Sequence, residues 1–291
     1  MTRTPVKVKF WGTRGSIPVP GTSTLRYGGN TACVEVRFGE QVLICDTGTG
    51  IRNLGGTLAG EFKGRPIEGD IFITHTHWDH IQGFPFFLPA YIPKNHFNIY
   101  SAKGVGDSFE NIFRKQMGIN YFPVEVGDMA ANLDFRHATE TFSVGSVKVR
   151  TRFTNHPGVN IGYRFEFDGN RSVVYLTDHE NFQAFMQSSA IAVKQDREMA
   201  EFCEGADVLI CDSQYTDEEY EKKRGWGHSR WKDTLALGLE ARVRNLAFFH
   251  HDPVRSDEDL DRIEREARRI AEGMKGAVQC HVAKEGQEIE L

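Results

Sequence analysis

Five short apolar runs in this sequence share one feature: each is followed, within two residues, by an aspartate or a histidine. The residues at these ends are Asp46, Thr74-His75, Thr177-Asp178, Asp212 and His250. Apolar runs of this length are typical of buried strands. Where helices cover a sheet, the active site lies at the carboxyl ends of the strands. The pattern therefore predicts an α/β fold whose strand ends supply the residues of a polar site.

The organisation of the chain favours a single domain. It has 291 residues, and no internal repeat, low-complexity tract or linker divides it, so we predict one domain over residues 1–291. Hydrophobic residues make up 40% of the chain, and a large core can form without disulfides or structural metals. The five cysteines are scattered without CxxC spacing, so we expect reduced, buried thiols.

Local patterns predict several further elements. Apolar residues alternate with lysines over residues 6–10, as in a half-buried strand. Ser256 and Asp259 have the spacing of a capping box, so a helix is expected to begin there and to end near Gly273. The stretch 104–135 predicts a helix followed by a loop around Pro123, with no assigned role.

Charge and hydropathy bear on the partners of the protein. The net charge of −5 argues against a surface built to coat nucleic acid. The N-terminus lacks the apolar core of a signal peptide, and no run of about 18 apolar residues is present. We therefore expect a cytoplasmic protein that does not bind membranes. The sequence does not determine the oligomeric state, and a dimer is compatible with it.

The most informative motif is residues 75–80, which read His-Thr-His-Trp-Asp-His directly after a predicted strand. On such a turn His75 and His77 can converge on one ion, while Asp79 and His80 face a second. Two metal ions about 3.5–4 Å apart can activate a shared water and stabilise a leaving oxygen. Nitrogen-rich ligation favours zinc, and the carboxylates also admit manganese or iron. A polar loop of merely hydrogen-bonded histidines is disfavoured, because four such groups are costly to bury.

The sequence HTHWDH resembles the HxHxDH motif of the metallo-β-lactamase superfamily, and four further motifs of that family are present in order. These are ICDTGTG with Asp46, TNHPG with His156, YLTDHE with Asp178, and FFHHDP with His250. The resemblance spans about residues 8–255. It implies a four-layer αββα sandwich of the metallo-β-lactamase type and a metal-dependent hydrolase.

The resemblance also implies how two divalent metal ions would be bound, with zinc as the expected metal and manganese or iron as alternatives. It assigns His75, His77 and His156 to one ion, Asp79, His80 and His250 to the other, and Asp178 to both. Asp46 is expected to lie behind the ligands and to orient a ligand histidine.

Two neighbouring histidines compete with the assigned ligands. His250 and His251 are adjacent and point in different directions on a strand, and the family motif favours His250. His179 follows Asp178, and we interpret it as a histidine at the pocket rim or one satisfied by hydrogen bonds, and not as a ligand.

The segment 222–232 places five cations and two tryptophans around His228. Cations suit phosphate oxygens and tryptophan faces suit nucleobases. The alternative is a solubilising loop before a helix that follows Ser229 and buries Trp231. Gly227-His228-Ser229 resembles a motif of the tRNase Z-like phosphodiesterase branch, in which the histidine helps to protonate the leaving oxygen. That resemblance favours the functional interpretation and implies that Asp212 orients His228.

These assignments predict a phosphodiesterase in which Asp79, His228 and Asp212 are catalytic. Because no long arm for grasping tRNA is evident and the chain is acidic, a small phosphodiester such as a cyclic nucleotide is favoured over nucleic acid. A tRNA 3′-processing-like endoribonuclease and a lactone or β-lactam hydrolase remain alternatives. A di-iron redox protein and a non-catalytic metal-binding module are further ones.

Overall fold

Strands and helices alternate along the chain, as the sequence predicts for an α/β protein. The computed structural model describes residues 3–104, 108–274 and 278–291. In these ranges the strands are β1 Val6–Gly12, β2 Cys33–Phe38, β3 Gln41–Cys45, β4 Glu68–Phe72, β5 His96–Ser101, β6 Asn132–His137, β7 Thr141–Val144, β8 Val147–Phe153, β9 Ile161–Phe167, β10 Arg171–Leu176, β11 Val208–Asp212, β12 Asn245–Phe249, β13 Gln279–Val282 and β14 Glu288–Glu290.

The α-helices within the same ranges vary from four to 17 residues. They are α1 Ile51–Phe62, α2 Trp78–Ile81, α3 Phe109–Lys115, α4 Phe182–Phe185, α5 Ala190–Cys203, α6 Asp217–Lys223, α7 Trp231–Glu240 and α8 Asp257–Gly273. Short 3-10 turns cover Thr22–Thr24, Phe84–Phe86, Leu88–Tyr91, Val126–Asp128 and Asp168–Asn170.

The described residues group into two compact units. The first unit lies within residues 1–20, 28–138 and 284–291, and the second within residues 21–27 and 139–283. Each unit holds one seven-stranded sheet and its own cluster of buried apolar residues. The expectation of one domain over residues 1–291 stays a prediction.

The sheet of the first unit has the order β14-β1-β2-β3-β4-β5-β6. The pairs β14-β1, β1-β2 and β2-β3 are antiparallel. Strands β3, β4, β5 and β6 are parallel to one another. Cys45 pairs with Phe72, so β3 and β4 end side by side. The residues that follow these two strands therefore meet at one edge of the sheet. The predicted alternation in β1 is present, with Val6, Val8 and Phe10 fully buried.

The sheet of the second unit has the order β13-β12-β11-β10-β9-β8-β7. Strands β10 to β13 are parallel, and β7 to β10 are antiparallel. Leu176 pairs with Cys211, and Asp212 pairs with Phe249. The carboxyl ends of β10, β11 and β12 therefore lie together, as the sequence predicts.

The predicted helices are present. Helix α8 begins after Ser256, whose hydroxyl and the carboxylate of Asp259 form the expected capping box, and it extends to Gly273. The predicted helix within 104–135 corresponds to α3, and the residues around Pro123 form a loop. Residues 105–107 of that stretch lie outside the described residues.

The cysteines match their predicted state, since all five are buried and unbonded to one another. Burial raises the pKa of the Cys33 and Cys45 thiols well above the ordinary value, so both stay protonated. Among the described residues, no helix has the length and apolar composition needed to cross a membrane.

Candidate metal centre

The first unit holds the predicted metal-binding motif on the loop after β4 and the start of α2. We call residues 74–80 the metal loop. Its His75, Asp79 and His80 are buried, and His77 is exposed. The ring centroid of His75 lies 4.4 Å from that of His77 and 4.3 Å from that of His80. Three imidazoles therefore converge within this unit.

Asp46, at the end of β3, holds the metal loop from behind. Its fully buried carboxylate accepts hydrogen bonds from the backbone N–H of Thr74 at 2.8 Å and from Nδ1 of His80 at 2.8 Å. The Thr74 hydroxyl also donates to Asp46 and lies 3.2 Å from Nδ1 of His75. Since that hydroxyl hydrogen points to Asp46, Nδ1 of His75 is the donor of the second contact. The carboxylate thus orients His80 directly and His75 through Thr74, whereas the sequence analysis expects it to orient one histidine.

Asp79 is held by a different contact. Its Oδ2 accepts the backbone N–H of Ser16 at 2.7 Å and lies 3.2 Å from Nε2 of His80. The loop therefore presents a buried carboxylate oxygen beside an imidazole nitrogen, a donor pair suited to a divalent metal ion.

The second unit gathers its predicted ligands around Asp178. The Oδ1 atom of Asp178 lies 3.2 Å from Nε2 of His250, and Oδ2 lies 3.7 Å from Nε2 of His156. Each oxygen thus faces a different histidine, although the two histidines are 94 positions apart in the sequence. A carboxylate that bridges two metal ions must direct its two oxygens to different ligand groups in this way.

The opposite nitrogens of these two histidines are held by oxygen acceptors. Nδ1 of His156 donates to the backbone carbonyl of Gly227, and Nδ1 of His250 donates to Oε1 of Gln214, both at 3.0 Å. A neutral imidazole with its proton on Nδ1 carries its lone pair on Nε2. Metal-ligating histidines commonly show this arrangement. The donor set therefore fits a divalent metal ion.

The choice between His250 and His251 follows from their contacts. Nε2 of His251 donates to the backbone carbonyl of Ala283 at 2.8 Å, and its ring packs edge-on against Tyr27. His250, in contrast, places its Nε2 3.2 Å from Oδ1 of Asp178.

Three site residues have an uncommon backbone conformation. Asp46, Asp178 and His250 have φ values of 58°, 52° and 62°, and each lies just beyond the end of a strand. A positive φ is uncommon for residues other than glycine, and such strain tends to occur at functional sites. This conformation turns the backbone sharply at each of the three strand ends. It supports a functional role for all three residues.

His228 and Asp212 form the predicted pair. Nδ1 of His228 donates to Oδ2 of Asp212 at 2.7 Å, and both side chains are buried. The His228 ring centroid lies 5.2 Å from that of His156 and 5.0 Å from that of His250. A histidine oriented by a carboxylate beside these residues is placed for proton transfer.

His179 is satisfied by hydrogen bonds, as one of the two interpretations proposed. Its Nδ1 accepts the backbone N–H of Asn155 at 3.2 Å. Burial lowers its pKa to about 3, so the ring is neutral.

The segment 222–232 agrees in part with the solubilising-loop alternative. Trp231 is a core residue at the start of α7, as the solubilising-loop alternative predicts, whereas Trp226 is exposed. Four of the five cations in this segment have acidic partners: Lys223 lies 2.8 Å from Asp252, Arg224 lies 3.7 Å from Glu221, Arg230 lies 2.7 Å from Asp233, and Lys232 lies 2.6 Å from Asp217. These acids offset the positive field that the sequence suggests.

Two residues of the site were missed by the sequence analysis. Gln214 supports His250, and Glu180 binds the loop that carries His228. Glu180 does lie in the YLTDHE motif, but its partners are 40 to 47 residues away, and no local pattern identifies them.

Comparisons with known proteins agree with this geometry. The model of the β-lactamase superfamily domain matches residues 42–251, well over half of the chain. Ribonuclease Z of Thermoplasma acidophilum is 22% identical over 287 residues, which cover 85% of this chain and 87% of that protein.

Solved structures agree with the fold. The metallo-β-lactamase fold protein YhfI from Bacillus subtilis has a TM-score of 0.71 and 18% identity, covering 99% of this chain and 100% of that one. A diphosphatase from the PhnP family has a TM-score of 0.68 and 16% identity, covering 99% and 97%. The predicted αββα fold class is confirmed.

Proposed function

The chain belongs to the β-lactamase superfamily, and from this premise we propose that it is a two-metal phosphodiesterase. The observation that carries the proposal is the orientation of the candidate ligands. In His80, His156 and His250, Nδ1 is bound to an oxygen acceptor while Nε2 lies near an aspartate carboxylate. Hydrogen-bonded histidines without a metal role have no reason to share this arrangement.

The proposed ligand set is the one that the family resemblance implies. It comprises His75, His77 and His156 for one ion, Asp79, His80 and His250 for the other, and Asp178 for both. The imidazole-rich donors favour zinc, and the carboxylates of Asp79 and Asp178 make manganese or iron acceptable.

Divalent ions bound there would lower the pKa of water and offset negative charge on the phosphoryl oxygens. The chain's own residues would orient the ligands and supply a proton. Asp46 keeps a proton on Nδ1 of His80, and Gln214 keeps one on Nδ1 of His250. The lone pair on Nε2 of each ring therefore stays available to bind a metal ion. Asp212 keeps Nδ1 of His228 bound, which leaves Nε2 of that ring to give a proton to the departing oxygen.

A small phosphodiester such as a cyclic nucleotide is the proposed substrate. The net charge of −5 and the acidic partners of the cations in 222–232 support a compact substrate over a long polyanion. The structural likeness to a diphosphatase of the PhnP family is in line with this choice.

A tRNA 3′-processing-like endoribonuclease is the second candidate. The observation that favours it is the similarity to ribonuclease Z over 85% of this chain. The two candidates share the proposed ligands and differ in the substrate that is bound.

A substrate panel tests the proposal. Zinc- and manganese-loaded protein would be assayed with cyclic nucleotides, bis-p-nitrophenyl phosphate, a tRNA precursor, a lactone and a β-lactam. We expect turnover of the diesters and fastest turnover of a small one. Preferred cleavage of the tRNA precursor would favour the second candidate. Hydrolysis of the lactone or β-lactam without diester hydrolysis, or an iron-dependent reaction with oxygen, would contradict the proposal.

A further inference from the structure

Glu180 is a buried carboxylate that none of the preceding steps uses. Its side chain is almost fully buried, and both of its oxygens accept hydrogen bonds. Oε1 accepts from the Tyr220 hydroxyl at 2.6 Å and from the backbone N–H of Gly225 at 2.9 Å. Oε2 accepts from the backbone N–H of Gly227 at 3.0 Å. These contacts fix the chain on both sides of Trp226.

The donors to Glu180 suit an anion. Burial and the bond to Glu180 raise the pKa of Tyr220, so its hydroxyl remains a donor. Backbone N–H groups cannot accept a hydrogen bond. An amide in place of the carboxylate would turn an N–H₂ group toward at least one of these donors.

The segment that Glu180 binds has a conformation that only glycine adopts easily. Gly225 and Gly227 have φ values of 86° and 89°. A Cβ atom at Gly227 would also collide with Nδ1 of His156. Glycine thus permits the close approach by which the carbonyl of Gly227 accepts the hydrogen bond from His156.

Gly227 joins two parts of the proposed site. Its carbonyl orients His156, a proposed metal ligand, and the next residue is His228, the proposed proton donor. The backbone of Glu180 adds a further tie, since its N–H donates to the carbonyl of Asn155, next to His156, at 2.9 Å.

We propose that Glu180 is a positioning residue that holds the Gly225–Gly227 segment so that His156 and His228 keep their orientations together. This inference rests on the proposed function. Glu180 is not assigned any contact with substrate or metal. It acts through the Gly227 carbonyl on metal binding and through the placement of His228 on protonation of the leaving oxygen.

Glu180→Gln tests the inference, with Asp207→Asn as the matched control. Asp207 is also a buried carboxylate of the second unit and accepts a backbone N–H, that of Ser172, at 2.8 Å, but it lies at the opposite end of β11. Zinc affinity would be measured by chelator competition. kcat/KM would be measured for bis-p-nitrophenyl phosphate, whose leaving group is good, and for a cyclic nucleotide, whose leaving group is poor.

For Glu180→Gln we expect zinc affinity to fall by about 10-fold or more, as for loss of other residues that orient ligands. We expect the loss of kcat/KM to be roughly 10-fold greater for the cyclic nucleotide than for the activated diester, because proton donation matters more for a poor leaving group. Asp207→Asn should leave zinc affinity unchanged and lower both activities equally, if at all.

Tyr220→Phe is a milder variant for the case that Glu180→Gln does not fold. It removes one donor and keeps both glycine N–H contacts, so the same changes are expected in smaller size. Equal losses for both substrates together with unchanged zinc affinity, in whichever variant folds, would overturn the inference. If the wild-type protein hydrolyses no diester but Glu180→Gln or Tyr220→Phe still weakens zinc binding, the proposed function fails while the positioning role stands.

Discussion

The two groups of candidate ligands are built in different ways. In the first unit they lie within six positions of the metal loop, residues 75–80, and a single carboxylate, Asp46, orients two of its histidines. In the second unit they come from three separate places in the chain, and each histidine has its own partner, Gly227 for His156 and Gln214 for His250. The first group carries much of its geometry locally, whereas the second depends on tertiary structure.

The largest effects are expected from removal of a ligand in either group. His77 is exposed, so His77→Ala should fold normally yet lose bound metal and lower kcat/KM by about 10³-fold or more. His250→Ala should do the same. Metal analysis and diester kinetics check this, with His96→Ala, a half-buried histidine of β5 outside the proposed site, as the control. If His77→Ala kept its full metal content and activity, the assignment of the metal loop to the site would be contradicted.

The next effect concerns His228, which lies in the second unit but is not a proposed ligand. His228→Ala should lower turnover of a poor-leaving-group diester by about 10²–10⁴-fold, the scale of general acid catalysis, and should leave metal content intact. Asp212→Asn should lower turnover of the same diester and change its pH-rate profile, because a neutral amide replaces the negative charge beside Nδ1 of His228. An unchanged profile in His228→Ala would limit the second unit to metal binding.

The supporting residues offer a direct comparison of the two groups. Asp46→Ala and Gln214→Ala should each weaken metal binding by about 10- to 100-fold. Asp46→Ala should in addition lower the free energy of unfolding by about 1–3 kcal/mol for each donor it leaves unsatisfied, whereas Gln214→Ala affects one ring only. Chelator competition and urea denaturation would measure both. Equal stability of the two variants would contradict the difference drawn here.

The smallest effect is expected at the surface of the second unit. Lys232 lies 2.6 Å from Asp217, and both side chains are partly exposed. Lys232→Ala should change the free energy of unfolding by less than about 1 kcal/mol and should leave KM for a small diester unchanged. A large rise in KM would instead give this cationic segment a role in phosphate binding.

The same difference explains how much could be predicted from sequence. The metal loop, the ends of β3, β4, β10, β11 and β12, and the capping box of α8 all follow from local patterns, and the structure has them. Glu180 and Gln214 could not be predicted, because their partners lie 36 to 47 residues away and only the fold brings them together. The sequence admits two interpretations of Trp231, because the flanking cations suggest recognition and the helical pattern suggests burial, and the structure buries the ring.

Metal stoichiometry tests the central claim most directly. Purified protein would be loaded with zinc, dialysed against metal-free buffer, and analysed for metal and protein in the same sample. The proposed ligand set predicts two zinc ions per chain, and fewer in both His77→Ala and His250→Ala. A wild-type protein that retains no zinc, or variants that keep the wild-type content, would contradict it.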